Sequence, residues 1–375
     1  MASLGLLAVA AARTNLTWPA PSVEVSGSKT VPPQGESSFP LGWYDSLEAR
    51  GGVFDIAQQG MNVVLPYHTE AGDEHAYLDA AQAAGLKVVL EIDRAFVKAE
   101  SASDVRRFVS RYKAHPALYG WYLADEPTIN EDLGPASPEV AGELYRVIKD
   151  EDPKSPVAVA FAKSEQPEDY RQAMDLMLFD DYPCRVGQPE FDGFEDWWKR
   201  LQARAAVGAE EGGFIPVLQA FGEDAQGVAQ FGRRLPTVAE QRYMVFASVQ
   251  AGATGLLFWT RYRASREWID RVLQPIVSEL REFVPAFGSG KIRDRVAADG
   301  DGIELSLHGD PLMQRYVLVA VNHSDGTTPA RIAIDRTMGL QQALASGDVE
   351  EKHDVTDGVL EHTFGPFEAK VYALS

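Results

Sequence analysis

The stretch "LYGWYLADE", residues 118–126, carries an apolar and aromatic run directly into two adjacent carboxylates, Asp125 and Glu126. The run is continuously apolar rather than alternating, which is typical of a strand buried on both faces of a parallel sheet. Successive side chains of a strand point to opposite faces, so both acids reach one site only if the strand end bends or bulges. Pro127 follows at once and is consistent with such a break.

Seven further apolar runs have the same character, and amphipathic, helix-like stretches separate them. They span residues 39–44, 61–68, 86–93, 156–162, 175–182, 214–221 and 254–260. The helix-like stretch 137–150 opens with Ser137 as its expected N-cap and Pro138 at the first helical position. Eight strand–helix units in about 245 residues predict an α/β fold, the (β/α)8 barrel. An open, doubly wound sheet is the alternative, and the lack of a glycine fingerprint after the first strand disfavours it.

The pattern of apolar and turn-forming residues changes from about residue 292. Short β-rich segments follow one another, separated by Gly, Asp, Asn and Thr, as in an antiparallel β-sandwich. The sequence thus predicts three parts: an N-terminal arm rich in Pro, Ser and Gly (1–37), a catalytic barrel (38–288) and a C-terminal β-sandwich (289–375). The arm is long enough to add a strand to the sandwich.

The charge of the chain limits its partners. With a net charge of −20, the chain would repel a phosphate backbone or an anionic membrane, so we expect neither nucleic-acid nor membrane binding. Cys184 is the only cysteine, which excludes an internal disulfide and a multi-cysteine metal site. No His/Asp/Glu cluster has metal-ligand spacing and no phosphate-binding loop is present, so we expect no metal and no cofactor.

The N-terminal segment "LGLLAVAAA", residues 4–12, admits two interpretations. It resembles the apolar core of a secretory signal, which would make the protein secreted or periplasmic, although no Lys or Arg precedes it. Alternatively, it is an ordered part of a mature cytoplasmic protein.

The candidate site follows from the barrel, since active sites in this fold lie at the carboxyl ends of the strands. Those ends carry carboxylates, which bind hydroxyl groups or transfer protons, and aromatic rings, which stack on sugars. The candidate residues are Tyr44, Asp45, His68, Glu91, Tyr122, Asp125, Glu126, Asp181, Tyr182, Gln219, Glu223, Trp259 and Tyr262.

Three of the strands show a family resemblance. "SSFPLGWY" (37–44), "YGWYLADEP" (119–127) and "GATGLLFWT" (252–260) resemble the first, fourth and eighth strands of retaining glycoside hydrolases of the (β/α)8 superfamily. "FGPFEAKVYAL" (364–374) resembles the closing strand of their C-terminal β-domains. The resemblance implies a carbohydrate partner, cleavage of β-linked sugars of a polysaccharide or glycan, and Glu126 as the general acid/base. Gln219 stands where the family has its nucleophilic Glu, and an amide cannot attack the anomeric carbon.

This departure leaves two catalytic mechanisms open. In the first, catalysis is substrate-assisted: the 2-acetamido oxygen of the sugar attacks, Asp125 orients the acetamido group and Glu126 protonates the leaving oxygen. Adjacent Asp-Glu at this strand end is similar to several β-N-acetylhexosaminidase families and one β-N-acetylgalactosaminidase family. In the second, Glu223 or Asp181 is the nucleophile or base that partners Glu126.

An interpretation from another class is a carbohydrate-binding barrel without turnover. Asp125 would then cap a helix or pair with Arg94 or Arg261, and such ion pairs imply no function.

Overall fold

The computed structural model describes residues 23–24, 39–46, 52–67, 73–130, 135, 137–222, 230–310, 315–346 and 351–375. The first strand, Val23–Glu24 (β1), comes from the predicted arm and pairs antiparallel with a strand of the C-terminal part. The segment 4–12 lies outside the described residues. No helix in the described part of the chain is long and apolar enough to cross a membrane.

Eight parallel strands close into a barrel, as the sequence predicts. They are Leu41–Asp45 (β2), Val63–Pro66 (β3), Lys87–Glu91 (β4), Leu118–Asp125 (β5), Val157–Ala162 (β6), Leu176–Asp180 (β7), Phe214–Gln219 (β8) and Leu256–Trp259 (β9). All eight are buried almost throughout, which explains their continuously apolar sequences. Alternate side chains fill the barrel interior, among them Leu65, Ala160 and Val217.

Helices surround the barrel and bury their apolar stripes against it. They are Gly52–Gln58 (α1), Glu74–Ala83 (α2), Arg94–Lys98 (α3), Ala102–Tyr112 (α4), Pro138–Glu151 (α5), Phe194–Glu211 (α6), Val238–Ala251 (α7), Arg266–Trp268 (α8) and Gln274–Gly288 (α9). The Ser137 hydroxyl caps α5 by accepting from the Val140 amide, as predicted.

The C-terminal part forms two antiparallel sheets whose inner faces share one apolar core, and this confirms the predicted sandwich. Its strands are Lys291–Ile292 (β10), Val296–Ala298 (β11), Ile303–Asp310 (β12), Arg315–Asn322 (β13), Thr328–Ile334 (β14), Gln342–Ala345 (β15), Glu351–Asp354 (β16), Val359–Phe364 (β17) and Ala369–Leu374 (β18). One sheet has the order β1-β10-β12-β13-β18-β15-β16 and the other β11-β14-β17.

A buried histidine joins the sandwich to the barrel helices. His323 follows β13 and stacks on Trp198 of α6 with ring centroids 3.7 Å apart, and its Nδ1 lies 2.8 Å from the Tyr243 hydroxyl of α7. Burial lowers the pKa of His323 to about 3, because the charged imidazolium loses its hydration. The folded protein therefore holds this side chain neutral.

We predict that the interface weakens with acid. Below pH 6.5 the unfolded chain protonates His323 while the folded chain does not, so the free energy of unfolding falls by about 1.4 kcal/mol per pH unit from this group. Urea titrations between pH 7.5 and 5.5 should show a shallower decline for His323→Gln. Trp198→Phe removes the stacking partner but no titrating group, so it should lower stability equally at all pH values. Equal slopes for wild type and His323→Gln would contradict the assignment.

Candidate active site

A cavity of about 180 Å³ opens at the carboxyl ends of the barrel strands. It lies below the ~300–1,000 Å³ of most ligand pockets, which suits a compact group such as a single six-membered ring. Its walls are Tyr67, Asp125, Glu126, Asn130, Asp180, Tyr182, Phe221, Phe231, Arg233 and Trp259. Three carboxyl groups and five aromatic rings thus meet in one small volume.

A bulge in β5 brings both acids of the opening stretch into this cavity. The pairing of β5 with β6 shifts register between Tyr122 and Ala124, so Leu123 and Ala124 both face the outer core. The extra residue returns Asp125 to the inner face, next to Tyr122. Glu126 then takes a left-handed conformation with φ of +46°, which turns its side chain into the same cavity. The predicted bend or bulge is confirmed.

Asp125 lies at the bottom of the cavity with only 5% of its surface exposed. The Tyr122 hydroxyl donates to its Oδ1 over 2.6 Å, and Tyr67 donates a second hydrogen bond. Burial raises the pKa of Asp125, while the Tyr122 hydrogen bond and the Arg94 charge oppose that rise. The carboxyl group is therefore held in place from one side and faces the cavity with the other.

Glu126 is half-buried at the cavity wall and receives a hydrogen bond of 3.1 Å from the Asn130 amide. Burial, followed by the charges of Asp125 and Glu165, raises its pKa to about 7. Glu165 is itself fixed by Thr128 and by the Ala162 amide. A carboxylic acid that keeps its proton up to neutral pH is suited to general-acid work.

Asp180 at the end of β7 provides the third carboxyl group. Its Oδ2 accepts from the Tyr182 hydroxyl over 2.7 Å, whereas its buried Oδ1 has no hydrogen-bond partner among the described residues. Burial, together with the charges of Glu126 and Asp125, raises its pKa well above the usual range. A buried acid with one unsatisfied oxygen facing a cavity is arranged to interact with a bound molecule.

Aromatic rings form the opposite wall. Tyr182 stacks on Trp259 with centroids 5.6 Å apart, and Phe221 meets Trp259 edge-on at 4.6 Å. Phe231 at the cavity mouth is 67% exposed and has a left-handed backbone with φ of +54°. Its ring lies 6.0 Å from the ring centroids of both Phe221 and Trp259, so it extends the aromatic wall toward solvent.

The structure brings some of the sequence-predicted residues together and not others. Asp125, Glu126, Tyr182 and Trp259 line the cavity. Tyr44 and Tyr122 lie buried beneath it, with their hydroxyl oxygens 3.4 Å apart. His68 and Glu223 lie outside the described residues.

The other predicted residues are not among those that line the cavity. Asp181 faces away and pairs with Arg200 over 2.6 Å, because strand alternation gives the inner face to Asp180. Asp45 lies 3.6 Å from Arg261, Glu91 pairs with Arg94 over 2.5 Å, and Tyr262 is 48% exposed.

Gln219 has a different role from the substrate contact that we expected. Its Oε1 accepts from the Cys184 amide over 2.9 Å, and its Nε2 donates to the carbonyls of Cys184, Phe221 and Arg234. Both ends of the amide are occupied by backbone, so Gln219 ties the loop after β7 to the loop after β8.

The sequence candidates do not include six residues that line the cavity: Tyr67, Asn130, Asp180, Phe221, Phe231 and Arg233. Asp180 and Tyr67 had a usable signal, because each lies two residues after a side chain that faces the barrel interior, Leu178 and Leu65. The others lie on loops, which carry no such periodicity.

Comparison with solved structures shows a shared fold. A protein described as a glycoside hydrolase has a TM-score of 0.60 at 16% identity over 94% of this chain and 96% of that one. A glycoside hydrolase family 5 protein from Bacteroides vulgatus gives 0.59 at 15% over 93% of each chain. The β-galactosidase from Rahnella sp. R3 gives 0.55 at 11%, over 70% of this chain and 58% of that one, so this chain spans less than two thirds of that enzyme. No protein-family model and no curated protein matches the sequence.

We predict that Asp125→Asn lowers the pKa of Glu126. The amide oxygen that this substitution introduces can still accept from Tyr122, but the negative charge that opposes ionisation of Glu126 is lost. Titration of the side-chain carboxyl carbons by NMR should move the Glu126 midpoint down from about 7. Asp181→Asn serves as the control, because it removes a carboxylate that lies outside the cavity. The Glu126 titration midpoint in this variant should match that of the wild type. An unchanged midpoint in Asp125→Asn would refute the coupling.

Proposed function

We propose that the chain is a glycoside hydrolase. The observation that carries the proposal is the convergence of Asp125, Glu126 and Asp180 on a cavity of about 180 Å³ with an aromatic wall. Carboxyl pairs flanking a sugar are the machinery of glycosidic bond hydrolysis. The likeness of the fold to solved glycoside hydrolases supports the same proposal.

Glu126 is the general acid in this proposal. Its pKa of about 7 keeps it protonated under mildly acidic conditions, and its partial exposure allows it to reach a leaving oxygen at the cavity mouth. Protonation of that oxygen removes the need to expel an alkoxide. After departure of the leaving group, the ionised Glu126 can take a proton from water.

Asp180 is the second carboxyl group. Two nearby acids cannot easily ionise together, so the pair holds one proton over an intermediate pH range. The Tyr182 hydroxyl donates to Asp180 and favours its charged form, while Glu126 has only the weaker Asn130 amide. In this proposal Asp180 acts as nucleophile or base in its ionised form, which the Tyr182 hydrogen bond favours and burial disfavours. Glu223, the other candidate partner, stays a prediction.

Substrate assistance is the second mechanism that the site supports. Asp125 lines the cavity directly beside Glu126 and is fixed by two tyrosines. A carboxylate in that position could accept the N–H of a 2-acetamido group and direct its oxygen to the anomeric carbon. In this mechanism Asp125, rather than Asp180, supplies the charge next to the acid. In both mechanisms the proposed substrate is the same, namely the β-linked sugars of a polysaccharide or glycan.

Leaving-group chemistry tests the roles of the two acids. We predict that Glu126→Gln reduces turnover of unactivated glycosides by about 10²–10⁴-fold. It should reduce turnover of dinitrophenyl glycosides far less, because that leaving group needs no proton. Asp180→Asn should reduce both. The measurement is kcat on matched pairs of substrates. Glu361→Gln, an exposed change on the sandwich, is the control.

The opposite pattern, with Asp180→Asn rescued by the activated substrate, would reverse the two roles. Full activity in Glu126→Gln would remove Glu126 from the chemistry. If a panel of glycosides and polysaccharides is bound but none is hydrolysed, the chain is a carbohydrate-binding barrel and the proposal fails.

A 2-acetamido group separates the two mechanisms. If Asp125 assists the substrate, 2-acetamido glycosides should be cleaved, their 2-hydroxy counterparts should be inert, and a thiazoline analogue should inhibit. We expect Asp125→Asn to reduce that activity by about 10²-fold or more. Rapid cleavage of a simple glucoside or galactoside would exclude substrate assistance and leave the Glu126–Asp180 pair.

A further inference from the structure

Two arginines stand opposite each other beside the candidate cavity. Arg185 on the loop after β7 and Arg233 on the loop after β8 form an antiparallel bridge, and Arg233 lines the cavity. Like charges directly across a bridge are destabilising in the free protein. A bound anion would convert this cost into an attraction.

One hydrogen-bond donor of the Arg233 guanidinium group has no acceptor among the described residues. Its Nη1 atom is buried and has no hydrogen-bond partner among the residues that the structure describes. A buried guanidinium donor without an acceptor is uncommon and costs about 1–3 kcal/mol or more. Arg233 lines a cavity sized for one ring, and a ligand bound there can supply an acceptor to its guanidinium group.

Positive charges cluster around Arg233. We define the cationic rim as Lys163, Arg185, Arg200 and Arg233, whose charges act on one another. Arg200 and Lys163 lie 2.6 and 4.0 Å from the Asp181 carboxylate. Arg233 acts on the same carboxylate, so three of the four cations gather around Asp181 in a chain whose net charge is −20. Such a local excess favours anionic ligands.

We infer that the sugar bound in the cavity carries an anionic substituent, a carboxylate or a sulfate ester, which Arg233 receives with support from Arg185. This inference rests on the proposed function, since it names the class of sugar on which the same site acts. A guanidinium matches the two oxygens of either group with parallel hydrogen bonds. The aromatic wall would hold the ring while Arg233 fixes the substituent.

The acids of the cavity do not oppose this arrangement strongly. Burial raises the pKa values of Glu126, Asp125 and Asp180, and the charge of Asp125 adds to the rise at Glu126 and Asp180, so the cavity holds fewer negative charges than three. Two members of the cationic rim, Arg185 and Arg233, lie on the loops after β7 and β8. The bound anion and the retained acidic protons are therefore compatible near neutral pH.

Binding measured without turnover tests the inference. The probes are glucuronate and galacturonate with their uncharged amides, and the 6-sulfates of glucose and galactose with the parent sugars. In calorimetric titrations we expect at least one anionic sugar to bind about tenfold tighter than its neutral counterpart. The uronate and sulfate series show which oxyanion is preferred. Arg233→Gln should reduce that ratio to about one.

Arg331→Gln, an exposed arginine on the sandwich, is the matched control and should keep the wild-type ratio. Arg185→Gln should reduce the ratio partly and decides the matter if Arg233→Gln does not fold. Equal binding of charged and neutral sugars, a ratio that survives both cavity-side variants, or no binding of any anionic sugar would overturn the inference.

The two proposals fail separately. Glu126-dependent hydrolysis of neutral glycosides without any preference for an anion would leave the proposed function intact and refute the anionic substituent. Selective binding of an anionic sugar whose glycosides are not hydrolysed would support the anionic substituent and refute the proposed function.

Discussion

The bulge in β5 is the constraint on which the site depends. Without the register shift at Leu123, Asp125 would face the helices, where a carboxylate would lose its hydration and find apolar neighbours. With it, Tyr122 and Asp125 share the inner face, and the left-handed turn at Glu126 adds the second acid. The strain of that turn is confined to one residue, and Pro127 follows where no further ladder bond is needed. Local backbone irregularity thus creates a density of acids that a regular strand cannot.

Crowding three acids is costly, and the surroundings limit that cost. Tyr122 and Tyr67 donate to Asp125, and Tyr182 donates to Asp180. Arg94 places a positive charge near Asp125 while pairing with Glu91. These partners stabilise charge at Asp125 and Asp180 but leave Glu126 with a single amide donor. The distribution of donors therefore differentiates acids that have similar intrinsic pKa values. Environment, rather than residue type, sets which of them keeps a proton.

The sequence was sufficient for the barrel and the sandwich, because continuous apolar runs and turn spacing follow from burial on both faces of a strand. It was also sufficient to predict that Asp125 and Glu126 reach one site, and that the strand end must bend or bulge for them to do so. From the sequence alone, Asp181 was chosen over its neighbour Asp180. The alternation of β7 distinguishes the two, because Asp180 lies two residues after the inward-facing Leu178 and therefore shares its face. Gln219 looked like a substitution at a catalytic position, and only its four backbone contacts reveal its role. Phe231 and Arg233 reach the cavity through loop geometry, which no periodic pattern encodes.

The amide of Gln219 has an implication for how this scaffold could diversify. It joins the two loops that supply Tyr182, Arg185, Phe231 and Arg233, whereas Asp125 is held independently by Tyr122 and Tyr67 and Glu126 by Asn130. The loop residues that contact a ligand and the acids at the end of β5 are thus held in place by different sets of hydrogen bonds. Substitutions in the two joined loops can therefore change which ligands fit the cavity while Asp125 and Glu126 stay in place.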